Sequence, residues 1–143
     1  MKTLNPTESY CISLPDDIAE DYDERVASYW KEGHSLLLQV SSYIRHEGPQ
    51  VSAAERLKSR LQQESLLNVS WDVCVTIDCP DLDTAVGIDC EGVRWIYVYA
   101  VWPDLTIFAS ISGDDKDVKD NRNWALEAIN SIRRRGGTDN GNQ

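Results

Sequence analysis

Alternating apolar and polar residues mark several strands along the chain, most clearly in the stretch VRWIYVYAVW at residues 93–102. Successive side chains of a strand point to opposite faces of its sheet. One face of this strand carries the aliphatic residues Ile96, Val98 and Ala100. The other face carries the aromatic residues Trp95, Tyr97 and Tyr99. Both faces are costly to leave in water, so each requires a covering layer.

The same period of two predicts four further strands, at residues 35–45, 68–78, 85–90 and 105–112. Short turns at Glu91-Gly92 and Pro103-Asp104 separate the later strands. Such short connections are typical of antiparallel hairpins. The pattern therefore predicts a mostly antiparallel sheet of about five strands.

Helical periodicity predicts three helices between and around these strands. The first, PDDIAEDYDERVASYW at residues 15–30, places acidic residues at the positive end of the helix dipole. Its second half, RVASYW, also fits a strand paired with residues 35–45. The second helix, residues 50–65, has an apolar stripe formed by Val51, Ala54, Leu57 and Leu61. The third spans about residues 117–134 and ends in an arginine triplet followed by Gly136.

Helices and strands in this order predict an α+β domain over residues 1–135, followed by a disordered polar tail at residues 136–143. The two later helices are predicted to pack on one face of the sheet, the aliphatic one. The aromatic face could be buried by one of three elements: the first helix, a second copy of the chain, or a different protein. A large uncovered aromatic patch is rare on monomers.

Acidic residues dominate the charge of the chain, with 24 acids against 14 bases and a formal net charge of −10. Residues 1–32 hold eight acids and three bases, giving −5. A chain of this charge is repelled by phosphate backbones and anionic lipids, so nucleic acid and membrane are disfavoured as partners and a basic protein is favoured. With neither a secretory signal nor a membrane-length apolar run in the sequence, the expected location is the cytoplasm.

Carboxylates are the candidate catalytic side chains, because the sequence contains no nucleotide-binding, nucleophile-elbow or zinc-protease motif. Five acids follow or flank one predicted strand connection: Asp78, Asp81, Asp83, Asp89 and Glu91. Paired carboxylates can hydrolyse glycosides or hold a metal, which makes a small carboxylate- or metal-dependent hydrolase one alternative. The four cysteines form no CxxC pair. We predict neither a cofactor nor a metal.

These observations favour a non-enzymatic acidic domain that binds a basic partner. Small acidic α+β proteins rich in tryptophan are similar in general character to bacterial immunity proteins and antitoxins, which occlude the active site of a toxin. The predicted partner-binding carboxylates are Asp16, Asp17, Glu20, Asp21, Asp23 and Glu24. The predicted apolar anchors are Trp95, Tyr97 and Tyr99, with Asp72 or Asp89 beside them. The remaining alternative is a homodimeric structural or chaperone-like subunit.

Overall fold

The computed structural model describes residues 1–44, 50–64 and 73–135. These ranges contain nine strands and two helices. The strands are β1 (Lys2–Leu4), β2 (Tyr10–Leu14), β3 (Ala19–Asp23), β4 (Val26–Trp30), β5 (Leu37–Ile44), β6 (Asp81–Ile88), β7 (Val93–Val101), β8 (Leu105–Asp114) and β9 (Arg133–Arg134). The helices are α1 (Ala53–Gln63) and α2 (Asp115–Asn130).

Six strands form one antiparallel sheet in the order β3-β4-β5-β8-β7-β6. A smaller antiparallel sheet has the order β1-β2-β9. The predicted α+β class with a mostly antiparallel sheet is confirmed. The sheet system has more strands than the five predicted, because residues 19–30 supply two strands to the large sheet and residues near both ends of the described chain form the small one.

The predicted first helix over residues 15–30 is wrong, because this segment forms the hairpin β3–β4. Glu24 in the turn adopts a φ of 51°, a left-handed conformation that interrupts a right-handed helix. Within β4, Ala27 and Tyr29 are buried while their neighbours are half-buried, which is the period of a strand. The alternative that RVASYW is a strand paired with the next segment is correct, since β4 pairs with β5.

The aliphatic face of the large sheet is covered over its central strands, while Tyr22 and Ile44 on the same face stay exposed. Helix α2 packs on it through Val118, Ala125 and Ile129, which join Ile96 and Ile111 in one core. Strand β2 also packs against α2. Residues 73–78 run beside α2 without joining either sheet, so the predicted strand over 68–78 is wrong in its described part. Its apolar residues still face the core, which explains the alternation in the sequence.

Helix α1 packs on the opposite, aromatic face. Ala53 and Leu57 contact a cluster that includes Trp95, Tyr99 and Phe108. The prediction that both later helices share the aliphatic face is therefore wrong. That face is already filled by α2 and the small sheet, so the apolar stripe of α1 is buried against the aromatic residues instead.

The arginine triplet also differs from its predicted place at the end of a helix. Helix α2 ends at Asn130, and Arg133 and Arg134 form β9, paired with Cys11 and Tyr10 of β2. Arg134 makes an ion pair with Asp104 at 2.6 Å. The predicted disordered tail at residues 136–143 lies outside the described residues.

Candidate protein-interaction surface

The six predicted carboxylates lie together on the hairpin and the turn that leads into it, and we call residues 16–30 the acidic hairpin. Asp16 and Asp17 precede β3, and all six of these acids are exposed. Glu20 extends from one face of the hairpin, while Asp21 and Asp23 extend from the other, because neighbouring strand residues alternate. The grouping of the acids is as the sequence suggested, although the supporting element is a hairpin and not a helix.

Half of these carboxylates have a cationic partner within the described chain. The amino terminus lies 2.9 Å from Asp16, Lys31 lies 3.6 Å from Asp17, and Lys2 lies 3.0 Å from Glu20. Asp21, Asp23 and Glu24 make no ion pair with a described residue. The hairpin therefore keeps a net negative charge near its turn, where Arg25 is the single basic residue.

Strand β3 is also an edge of the large sheet. Within the part of the chain that the structure describes, it pairs with β4 on one side and with no strand on the other. An exposed edge strand can template pairing with another chain, and charged side chains are a common means of preventing unwanted pairing. The acids of β3 thus restrict the edge to partners that carry complementary charge.

The three predicted aromatic anchors are not on this surface. Trp95 is 3% exposed and Tyr99 is 6% exposed, because α1 lies over both. Tyr97 is half-buried, and its hydroxyl donates a 2.6 Å hydrogen bond to Glu64 at the end of α1. Burial first, and the hydrogen bond to Glu64 second, raise the pKa of Tyr97 above its usual value. None of the three covers proposed for this face is the one observed.

Arg60 packs at the boundary between α1 and the aromatic face. Its guanidinium lies 3.9 Å from the centre of the Phe108 ring, a cation–π contact. Its Nε donates to the Tyr99 hydroxyl at 2.8 Å, and its Nη1 donates to Glu64 at 3.1 Å. The long side chain covers aromatic surface while its charge is hydrogen-bonded.

Of the two further predicted carboxylates, Asp89 does not join the acidic hairpin. Asp89 lies in the turn between β6 and β7, where its Oδ1 accepts hydrogen bonds from the amides of Glu91 and Val93. This turn lies towards the β6 edge of the sheet, opposite the β3 edge. Asp72 lies outside the described residues.

Three of the five carboxylates considered for hydrolysis, Asp81, Asp83 and Asp89, accept hydrogen bonds from backbone amides. Asp81 accepts a 2.8 Å hydrogen bond from the amide of Ala53, the first residue of α1. Asp83 accepts from the amide of Thr84. Among the described residues, no three histidine, cysteine or acidic side chains converge in a way that could hold a metal ion. The acids at Asp81 and Asp89 therefore have a structural role that needs no substrate.

Replacing Asp81 tests that role. We expect Asp81→Ala to lower the free energy of unfolding by about 1 kcal/mol, because the first amide of α1 loses its charged acceptor. Urea denaturation followed by far-UV circular dichroism measures the change. Asp78→Ala, at an exposed position, is the matched control and is expected to be neutral. Equal stability of Asp81→Ala and the wild type would contradict the capping role.

Aromatic residues that the sequence interpretation did not single out lie near the acids. Tyr22, on β3, is 45% exposed and packs edge-on against Tyr29 with ring centres 6.2 Å apart. Trp30, on β4, is half-buried and donates to Glu32 at 3.4 Å. Tyr43, on β5, is 41% exposed. The sequence signal for this part of the hairpin is RVASYW, which also fits a strand.

This part of the sheet lies outside the cover that α1 provides. Helix α1 contacts β6 and β7 and reaches β8 through Arg60. A helix about 10 Å wide covers roughly two strands spaced about 4.8 Å apart. Most residues of β4 and β5 on the same face are half-buried, and Gln39 donates to Ser28 at 3.2 Å. Tyr43 is exposed, and Ser41 is buried. A mixed aromatic and polar surface thus adjoins the acidic hairpin.

Comparison with known proteins adds information about the fold alone. Neither a protein-family model nor a curated protein matches the chain. A solved structure from Bacteroides thetaiotaomicron VPI-5482, determined at 1.50 Å resolution, is similar over 89% of this chain, with a TM-score of 0.56 and 14% sequence identity. The match covers 45% of that protein's chain, so this chain corresponds to less than half of it. In the ranges described here, no helix is long and apolar enough to cross a bilayer.

Proposed function

We propose that this chain is a non-enzymatic, cytoplasmic protein-binding domain that engages a basic partner through the acidic hairpin. In its finer form, the proposal is an immunity- or antitoxin-type inhibitor that occludes the basic surface of a toxin or enzyme. One observation carries it: six exposed carboxylates lie together on a hairpin at the edge of the large sheet, and three of them have no ion pair among the described residues.

The charge of the hairpin supports rapid and selective encounter with such a partner. Complementary charges accelerate association by about ten-fold to a thousand-fold and disfavour partners of the wrong charge. Asp21 and Asp23 extend from one face of β3 and Glu20 from the other, so the carboxylates can contact a partner that straddles the edge. Nucleic acid would be repelled by the same surface.

Aromatic residues beside the hairpin supply an apolar component. Binding energy at interfaces is concentrated in a few desolvated residues, among which tyrosine and tryptophan are enriched. Tyr22 and Trp30 occupy the two strands of the hairpin, on opposite faces, and both retain accessible surface. They replace Trp95 and Tyr99 as anchor candidates, since the latter two are buried beneath α1.

Charge disfavours a second copy of the chain as the occupant of the β3 edge. Pairing two β3 strands would place Asp21, Asp23 and Glu20 of one copy beside those of the other. Like charges placed opposite each other across two strands are destabilising. A basic segment of a different protein is the better match.

The decisive experiment compares two triple variants of equal charge. In the first, Asp21, Asp23 and Glu24 are replaced by lysine. In the control, the exposed residues Glu91, Asp120 and Glu127 are replaced by lysine, away from the hairpin. Each tagged protein is used to capture partners from a lysate of the source organism, with elution by salt.

We expect the wild type and the control to capture one basic protein in stoichiometric amount, and the hairpin variant to lose it. With the purified partner, the association rate should fall by about ten-fold or more in the hairpin variant. For the inhibitor form, adding the wild type should abolish the partner's activity. Equal capture by both variants would remove the hairpin from the proposal, and absence of a basic partner would remove the proposed function.

A further inference from the structure

A cavity of about 390 Å³ lies along one flank of α1, beside the point where Arg60 crosses to the sheet. Its volume falls in the range of small-ligand sites. Arg56 and Arg60 line it from successive turns of α1, and the hydroxyl-bearing side chain of Tyr99 lines it from β7. The cavity is thus bounded by two guanidinium groups in a chain whose net charge is −10.

Hydrogen-bond donors predominate among the residues that line this cavity. Ser59 and Gln63 add a hydroxyl and an amide to the two guanidinium groups. Tyr99 accepts its hydrogen bond from Arg60 Nε at 2.8 Å, so its own proton remains available to a further acceptor. Glu55 is the single carboxylate among the described lining residues. Glu64 neutralises Arg60 by an ion pair at 3.1 Å, which leaves Arg56 as the lining cation with no ion pair to a described residue.

Arg56 distinguishes this cavity from the rest of the surface. Its Nε is buried and has no hydrogen-bond partner within the described chain. Arg60, by contrast, makes an ion pair with Glu64, and Arg134 makes one with Asp104. A buried donor that has lost water without gaining an acceptor costs free energy, which a bound anion would recover. The planar guanidinium matches the paired oxygens of a carboxylate or a phosphate.

We infer that this cavity is a binding site for a small oxyanion, a phosphate or a carboxylate, held by the guanidinium groups of Arg56 and Arg60 and by the hydroxyl of Tyr99. On binding, the Arg56 side chain turns towards the anion so that its buried Nε gains the missing acceptor, and Tyr99 donates its free proton. The site is separate from the acidic hairpin and does not depend on the proposed function.

Calorimetric titration tests the site. The full chain is titrated with inorganic phosphate and, in a separate experiment, with acetate, both at the same chloride concentration. We expect saturable one-to-one binding of at least one of the two anions. Arg56→Gln should weaken the affinity by about ten-fold or more, the usual effect of removing a charge-assisted hydrogen bond. Arg56→Lys keeps the charge but loses the planar donor pair, and it should give a smaller loss.

Lys58→Gln is the matched control, because it removes the same charge from an exposed position on the same helix. Its affinity should equal that of the wild type, and melting of both variants by circular dichroism confirms that they fold. Binding of phosphate alone assigns the site to phosphate compounds, and binding of both anions assigns it to oxyanions in general. Absence of saturable binding, or equal affinities in Arg56→Gln and the wild type, would overturn the site.

Discussion

Trp95→Ala is expected to lower the free energy of unfolding by about 3–5 kcal/mol, the range measured when a buried tryptophan is truncated. Trp95 is 3% exposed beneath α1, and its ring centre lies 4.8 Å from that of Tyr97. Truncation would leave a cavity between the helix and the sheet that the rigid sheet cannot fill. Urea denaturation followed by far-UV circular dichroism measures the loss without relying on tryptophan fluorescence.

Two control variants separate burial from other effects of removing the indole. Trp95→Phe keeps a ring and removes the indole N–H, which is buried without a hydrogen-bond partner, so a change of about 1 kcal/mol or less is expected. Trp30→Ala removes a half-buried tryptophan outside the cover of α1 and should cost about 1 kcal/mol. A loss no greater in Trp95→Ala than in Trp30→Ala would contradict the packing of α1 on the aromatic face.

Gly113→Ala is expected to lower the free energy of unfolding by about 3 kcal/mol, through two effects acting together. The φ of Gly113 is 153°, which a residue with a side chain rarely adopts. A Cβ at this position would also lie 2.9 Å from the Ser35 carbonyl oxygen and 3.0 Å from Leu36 Cα. Both neighbours are backbone atoms, so relief would require moving the entry to β5 away from β8.

Gly92→Ala isolates the first of these effects. Gly92 has a φ of 84°, but a Cβ there would have no neighbour within 4 Å. The expected loss is about 1 kcal/mol, the cost of the left-handed conformation alone. Thermal unfolding of the two variants under identical conditions gives the comparison. Similar losses in both would show that crowding at Gly113 is relieved by local adjustment.

The strands that could be predicted from sequence are those whose two faces differ in composition. In β7, aliphatic and aromatic residues alternate along the strand, and β8 also alternates. This period of two, together with the short turn between the strands, predicted the β7–β8 hairpin. The acidic hairpin lacked that contrast, because the spacing of Ile18, Tyr22, Val26 and Tyr29 also fits a helical stripe. The pairing of β4 with β5 decides between helix and strand for this segment, and pairing depends on the tertiary structure.

The candidate surface could be predicted in composition but not in arrangement. Charge clustering identified the six acids, because neighbouring residues stay together in any secondary structure. Trp95 and Tyr99 were assigned to the surface because a sheet face shows no sign in sequence of which helix covers it. That choice depends on α2 and β2 filling the other face, which leaves no room there for α1, and local sequence patterns do not record how much room a face has.

The small sheet gives the chain a high contact order. Strand β2 pairs with β9 and packs against α2, and the amide of Ser13 donates to the hydroxyl of Ser131, 118 positions away. During synthesis, Tyr10, Ile12 and Leu14 leave the ribosome long before the helix that buries them. Closure of so long a loop must precede any gain from these contacts, which slows folding and leaves an apolar strand exposed in the nascent chain. Strand β2 is thus made well before α2, and its apolar residues remain exposed until that helix has been made.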